Sequence, residues 1–119
     1  NKGKIVARRM DKVRVVGINK PVQLYNIVGL RSEMSENELK SVDYFHQGLD
    51  RYLQRDFVNA KKYFDKADEL FPETVTCYNR DGSTYKENGP ASVFSARCTK
   101  NITEGIPPNW DGVVNLVSK

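Results

Sequence analysis

Residues 35–72 read SENELKSVDYFHQGLDRYLQRDFVNAKKYFDKADELFP, and the spacing of their apolar residues sets the fold class. Leu39, Val42, Phe45, Leu49, Tyr52 and Leu53 recur at steps of three and four, which places them on one face of an α-helix. Ser35 and Glu38 precede that stripe three residues apart, so the serine can cap the first amides while the glutamate reaches back to it. A helix is therefore expected from Ser35 through Gln54. After Asp56, a second N-cap, Phe57, Ala60, Phe64, Ala67 and Phe71 repeat the spacing until Pro72 ends the run. With only Arg55-Asp56 between them, the two helices must lie antiparallel.

On the N-terminal side, Asp11 to Val16 and Val22 to Val28 are rich in β-branched residues in partial alternation, and Gly17-Ile18-Asn19-Lys20-Pro21 supplies turn chemistry. This reads as a β-hairpin. On the C-terminal side, residues 73–89 (ETVTCYNRDGSTYKENG) carry turn residues without a sustained period and are expected to be a loop or irregular excursion. Pro90 suits a first helical position, Ala91, Phe94, Cys98 and Ile102 would line one face of a third helix, and Gly105 can end it. The tail IPPNWDGVVNLVSK is expected to fold back, with Trp110 as its anchor against the helices and Val113 to Val117 extended. The fold class is α+β: an N-terminal β-hairpin, a helical hairpin, a third helix and a short extended tail.

The 119 residues are 39% apolar and 29% charged, ordinary for a folded domain. No apolar run reaches the roughly 20 residues of a membrane span, and the start lacks the apolar stretch of a signal peptide, so no membrane contact is expected of this segment. Cys77, Cys98 and the single His46 share no metal-binding motif, which leaves reduced thiols and a cytoplasmic setting as the expectation. His46 reads as a surface helical histidine, and Asn101-Ile102-Thr103 as a chance match to a glycosylation triplet. Residues 1–32 hold eight Lys or Arg against one Asp, whereas residues 33–119 hold eleven against fourteen acids. The basic hairpin has neither interleaved aromatics nor a groove-reading helix, so nucleic acid is not expected as a partner. Its cations are expected to face solvent or acids in absent parts of a larger protein.

From Ser41 to Thr74 the helical pair resembles a tetratricopeptide repeat, a unit of about 34 residues. Tyr44, Gly48, Ala60, Phe64, Ala67 and Pro72 stand at signature positions, while Gln47 and Arg51 depart from it. Small residues at Gly48 and Ala60 would let the helices approach, and Phe64 and Ala67 would fill the space between them. Helix three would begin a degenerate second unit. One and a half units fall short of the three or more that build a concave peptide groove, so Tyr44, Tyr52, Tyr63 and Phe64 read as packing residues rather than a ligand cage.

The pattern R-x-M-D-K-V-R-V-V-G-x-x-K-P-V-Q-L-Y, from Arg8 to Tyr25, resembles the end of a class III adenylate/guanylate cyclase catalytic domain, and Pro107 to Gly112 (P-P-N-W-D-G) resembles the tail of the C-terminal extension in bacterial members. The resemblance implies residues 1–32 as the terminal hairpin of a catalytic domain and residues 33–119 as a tetratricopeptide-like extension with a docked tail. It implies a parent that converts ATP or GTP to the cyclic nucleotide with Mg or Mn, possessing its metal-binding aspartates upstream and possessing no catalytic, metal or cofactor residue in this segment. Where bacterial members carry the lysines of V-K-G-K, this chain has Val16 and Ile18. Lys20 is the candidate to contact phosphates from the turn; a solvent-exposed turn lysine is the competing reading. The implied partners are the remainder of the catalytic domain and a second copy through the hairpin, in a cytoplasmic region of a parent that could be membrane-anchored. The rival is a free-standing module that binds a peptide on its helices.

Overall fold

The computed structural model describes residues 4–15 and 20–115. The turn expected at residues 17–19, the Val16 and Ile18 positions, and the tail beyond Asn115 lie outside the described residues. The chain is α+β, in the order β1 (Ile5–Arg14), β2 (Val22–Leu30), α1 (Glu36–Leu53), α2 (Phe57–Leu70), β3 (Thr74–Tyr78), β4 (Thr84–Asn88), α3 (Pro90–Glu104) and β5 (Val113–Asn115).

Helix α1 starts at the expected capping box: the Glu38 amide donates to Ser35 Oγ at 3.1 Å, and the Ser35 amide to Glu38 Oε1 at 2.8 Å. It ends in a Schellman turn, in which the Asp56 amide donates to the Arg51 carbonyl at 2.9 Å and the Arg55 amide to that of Tyr52 at 3.0 Å. Asp56 then caps α2 by accepting from the Asn59 amide. The antiparallel register of α1 and α2 is marked by Ser41, whose hydroxyl donates to the Ala67 carbonyl at 2.7 Å, and by Gly48, which faces Ala60. A β-carbon at Gly48 would stand 3.0 Å from the Phe64 ring and 3.2 Å from the Ala60 carbonyl oxygen, so even a methyl there would require the Phe64 ring or the facing helix to give by a few tenths of an ångström.

Around that crossing lies the core. Phe64 packs against Phe45 and Phe94 with ring centroids 5.3 and 5.2 Å apart, and Tyr52 against Phe57 and Phe94 at 5.5 and 5.3 Å. Phe45, Phe64, Phe94 and Cys98 are fully buried. On α3, Ala91, Phe94 and Cys98 face inward as expected, but Ile102 is 48% exposed; the last turn of α3 runs past the buried core, to which Cys98 is its last contribution.

Strand β1 is the middle of a three-stranded sheet ordered β2-β1-β5, antiparallel to β2 and parallel to β5. It begins at Ile5, earlier than the periodicity indicates, because its register is broken. Arg9 pairs with Tyr25 and Lys12 with Gln23, so Met10-Asp11 contains one extra residue, a β-bulge. Gln23 Nε2 donates to the Met10 carbonyl at 2.8 Å and the Leu24 carbonyl at 2.9 Å, occupying acceptors beside that bulge. The bulge reverses side-chain parity, so that Arg8 and Val13, an odd number of residues apart, are both buried.

Residues 73–89 are not a loop. Strands β3 and β4 pair antiparallel from Thr74↔Asn88 to Tyr78↔Thr84, around a turn in which the Asn79 amide donates to the Ser83 carbonyl and Gly82 takes a φ of 91°. Every residue of the two strands except the half-buried Cys77 is exposed, so no inside-outside alternation exists to announce them.

Ala60 has no exposed surface and sits beside the Gly48–Phe64 contact. Ala60→Leu is therefore expected to lower stability by about 1–3 kcal/mol through overpacking, read as a shift of the urea midpoint at unchanged slope. An unmoved midpoint would contradict the packing described.

Candidate functional site

The residues whose arrangement requires explanation lie along β1, where side chains reach α1, α3, the α2–β3 junction and the tail. Arg8 is 2% exposed; its Nη2 pairs with Glu73 Oε1 at 2.9 Å and its guanidinium lies 5.3 Å from the centroid of Phe45. Its Nε is buried without a hydrogen-bond partner. Glu73 joins α2 to β3, and the Gly89 amide at the head of α3 donates to its carbonyl at 3.0 Å. A β-carbon on Gly89 would lie 2.7 Å from that of Glu73, so the glycine permits the approach that seats the Glu73 carboxylate against Arg8.

One residue on, Arg9 bonds Asp50 at 2.9 Å through its side chain, and its backbone amide donates to His46 Nε2 at 2.9 Å. His46 therefore accepts through Nε2 and holds its proton on Nδ1. Burial and then the Arg9 charge lower its pKa from 6.5, against Asp50 and Asp43, which raise it; Arg8 adds to the lowering. Asp11 takes a two-pronged pair from Arg97 of α3, at 2.6 and 3.2 Å, while the Arg97 guanidinium lies 4.6 Å from the Phe94 centroid. Burial works against the Arg97 charge, but the Asp11 carboxylate outweighs it and the pKa is raised. Arg14 bonds Asn115 at 2.7 Å and Asp111 at 3.3 Å. The Val113 amide, followed by Arg14, holds the Asp111 carboxyl below its usual pKa.

The hairpin's arginines thus face acids of this same chain rather than only solvent or absent parts, correcting the expectation. His46 is half-buried and bonded to β1, not a free surface histidine.

Of the packing residues named from sequence, Gly48, Ala60, Phe64 and Ala67 are buried at the helix crossing. Tyr44 is half-buried at its edge with its ring stacked on Tyr63, and Pro72 is exposed after α2. Tyr52 belongs to the core; burial raises its pKa. Lys20 stands exposed ahead of β2, with no hydrogen bond or ion pair among the described residues. Trp110 is half-buried, edge-on to Tyr52 and Phe57 with both centroid distances 5.3 Å. Arg55 fastens the tail: its Nη2 donates to the carbonyls of Trp110 at 2.7 Å and Pro108 at 3.0 Å. Arg55 does so from a left-handed backbone with φ 67°, a conformation glycine would adopt with less strain.

Both cysteines are free. Burial pushes the Cys98 thiol up to about 11, and the Glu87 hydrogen bond raises that of Cys77. Among the described residues no three His, Cys, Asp or Glu side chains gather as a metal site, so these residues do not fit the Mg or Mn that the cyclase resemblance implies for the parent. No described helix is long and apolar enough to cross a membrane.

The chain is 24% identical over 98 residues to the terminal-differentiation-specific adenylate cyclase of Dictyostelium discoideum; the match covers 82% of this chain and 4% of that protein. No family profile matches the chain, and no solved structure matches it significantly. The similarity suggests a distant cyclase relation, through a relative that is not bacterial.

Two outcomes follow from this geometry. Because the folded-state pKa of His46 is lowered, the unfolded chain takes up the proton first as pH falls; its contribution to stability is whole above 6.5 and is lost as pH drops from there through the lowered folded value. The urea midpoint should fall over that window, and His46→Gln, which keeps an acceptor, should flatten that part of the profile. Arg55→Gly relieves the left-handed strain but releases the tail, so Trp110 emission should shift red and become quencher-accessible while the global unfolding free energy changes by less than about 1 kcal/mol. Native-like emission in that variant would show that Arg55 does not hold the tail.

Proposed function

We propose that this chain is the C-terminal part of a class III nucleotide cyclase, with the β1–β2 hairpin closing the catalytic domain and the helical segment acting as its regulatory or structural extension. The parent would convert ATP or GTP to the cyclic nucleotide, with its Mg or Mn ligands supplied from other parts, in a cytoplasmic region. The reading draws on the Arg8 to Tyr25 pattern and the likeness to the Dictyostelium enzyme.

The observation that carries it is the two-sidedness of the hairpin. Among the described residues strand β2 has a neighbour on one edge only, and Val22, Leu24, Tyr25 and Ile27 are 45–63% exposed, an unpaired, apolar edge of the kind a sheet continues or a second copy seals. Strand β1, in contrast, is tied to α1 by Arg9, to α3 by Asp11 and to the α2–β3 junction by Arg8. A displacement of the helices would be felt by the strand that adjoins the rest of a catalytic sheet. In this reading residues 1–32 and 33–119 are functionally distinct although β5 adds to the hairpin's sheet, and the tetratricopeptide-like pair serves as an internal spacer.

The test uses the parent protein. Arg97→Met keeps apolar bulk over Phe94 but removes the link to Asp11. It should reduce kcat severalfold while KM for the nucleotide changes less than about twofold, since neither residue is placed at the substrate. The isolated chain, given ATP or GTP with Mn²⁺, should make no cyclic nucleotide above a boiled control. A parent unaffected by Arg97→Met and by removal of residues 33–119 would overturn the coupling, and turnover by the isolated chain would overturn the assignment.

A further inference from the structure

The seam between α1 and α2 opens into a cleft of about 460 Å³ lined by Tyr44, Arg51, Asn59, Lys62, Tyr63 and Lys66. All six side chains carry a hydrogen-bond donor, and none is a carboxylate. Lys62 makes no ion pair among the described residues. Arg51 reaches Asp56 only at 4.0 Å, and Lys66 meets Glu69 at 3.6 Å in an exposed pair, contacts that do little to neutralise either cation. By comparison, the larger groove between β1 and α1 sets Lys4, Arg31 and Lys40 beside Glu36 and Asp43, a mixed lining with no preferred sign.

The aromatic half of the cleft is equally specific. Tyr44 and Tyr63 stack at 6.2 Å with their planes 29° apart, and among the described residues neither ring pairs with a further aromatic. Tyr63 is outside the core cluster. The close crossing at Gly48 brings the helices near enough for these two rings to meet, one turn along from the glycine on α1 and next to Phe64 on α2. Lys62 and Lys66 flank Tyr63 at helical spacing, and Arg51 lies two turns from Tyr44 on α1.

We propose that this cleft binds a small planar ring carrying a phosphate, the ring lying on the tyrosine pair and the phosphate held by Lys62, Lys66 and Arg51. The volume suits a ligand of mononucleotide size, and attraction between exposed cations and a phosphate weakens with salt. The site is independent of the cyclase reading, since none of its residues belongs to the hairpin.

The test is calorimetric titration of the 119-residue chain with AMP as probe, beside adenosine and inorganic phosphate. AMP should bind one to one with a sub-millimolar Kd, at least about tenfold more tightly than either control. Lys62→Glu with Lys66→Glu, both exposed positions, should weaken AMP by about tenfold or more while Trp110 emission and helicity stay native. Tyr63→Leu should weaken AMP and leave phosphate binding unchanged. Equal affinity for AMP and inorganic phosphate, equal affinity for AMP and adenosine, or an unchanged Kd in the double variant would each overturn the proposal. So would tighter binding of a glutamate-rich peptide or a single-stranded RNA that needs the same lysines.

Discussion

Gly48 against the ring of Phe64 is the constraint on which the rest depends. Hydrogen in place of a methyl lets α1 and α2 cross closely, and the ring of Phe64 enters the space that a side chain at residue 48 would fill. With Phe64 there, Phe45, Tyr52 and Phe94 surround it at edge-on or tilted angles and centroid distances of 5.2–6.3 Å, geometries in which aromatic pairs attract beyond their area burial by about 0.5–1.5 kcal/mol. Helix α3 is placed by that cluster, and the tail by Trp110, whose ring takes the outer side of Tyr52 and Phe57. The sheet in turn rests on it, since the Arg8 guanidinium stands over Phe45 and that of Arg97 over Phe94.

The ionic contacts along β1 work differently from the aromatic ones. Withdrawing Arg8 from water costs several kcal/mol, which its ion pair with Glu73 and the Phe45 face offset in part, while Nε remains unpaired. Little net stability is expected from such a pair, yet removing one partner of a buried pair typically costs about 3–5 kcal/mol. Alternative seatings of the strand are penalised in this way: a one-residue slip would move Arg8 off Glu73 and Asp11 off Arg97 together. The charges choose the position of the strand, and the rings supply the energy that holds it.

Much of the helical half was legible because its signals are local. Ser35 with Glu38, Asp56 and Gly105 mark helix ends through hydrogen bonds that involve only near neighbours, Pro90 marks one by having no amide to satisfy at a first helical position, and three-four spacing reports a buried face directly. The exposed β3–β4 hairpin was hidden, since Thr74 to Tyr78 and Thr84 to Asn88 have no inner face to generate a period. In β1 the alternation is there but changes phase at Met10-Asp11, so neither half is long enough to be read through to Ile5. The partners of Arg8, Arg9 and Asp11 lie tens of residues away in sequence, and the choice of Glu73, Asp50 and Arg97 is made by tertiary packing alone. Arg55 was unreadable for a related reason: a non-glycine residue in the left-handed region gives no warning, and its reason for being arginine lies in the carbonyls of Pro108 and Trp110.

The parallel pairing of β5 with β1 sets an order in time. Strands β1 and β2 are separated by seven residues of sequence, a span that hairpin closure covers on the microsecond scale, whereas Lys12 meets Val113 only after about a hundred residues have been laid down between them. That contact becomes affordable once α1, α2 and α3 have condensed around Phe64 and brought Trp110 to rest on Tyr52. From this separation the third strand is expected to join late a sheet whose other two strands are near in sequence, its three described residues pairing with Lys12, Val13 and Arg14. One strand, β1, therefore borders a neighbour that closes over a short stretch of sequence on one side and one that must wait for about a hundred residues on the other.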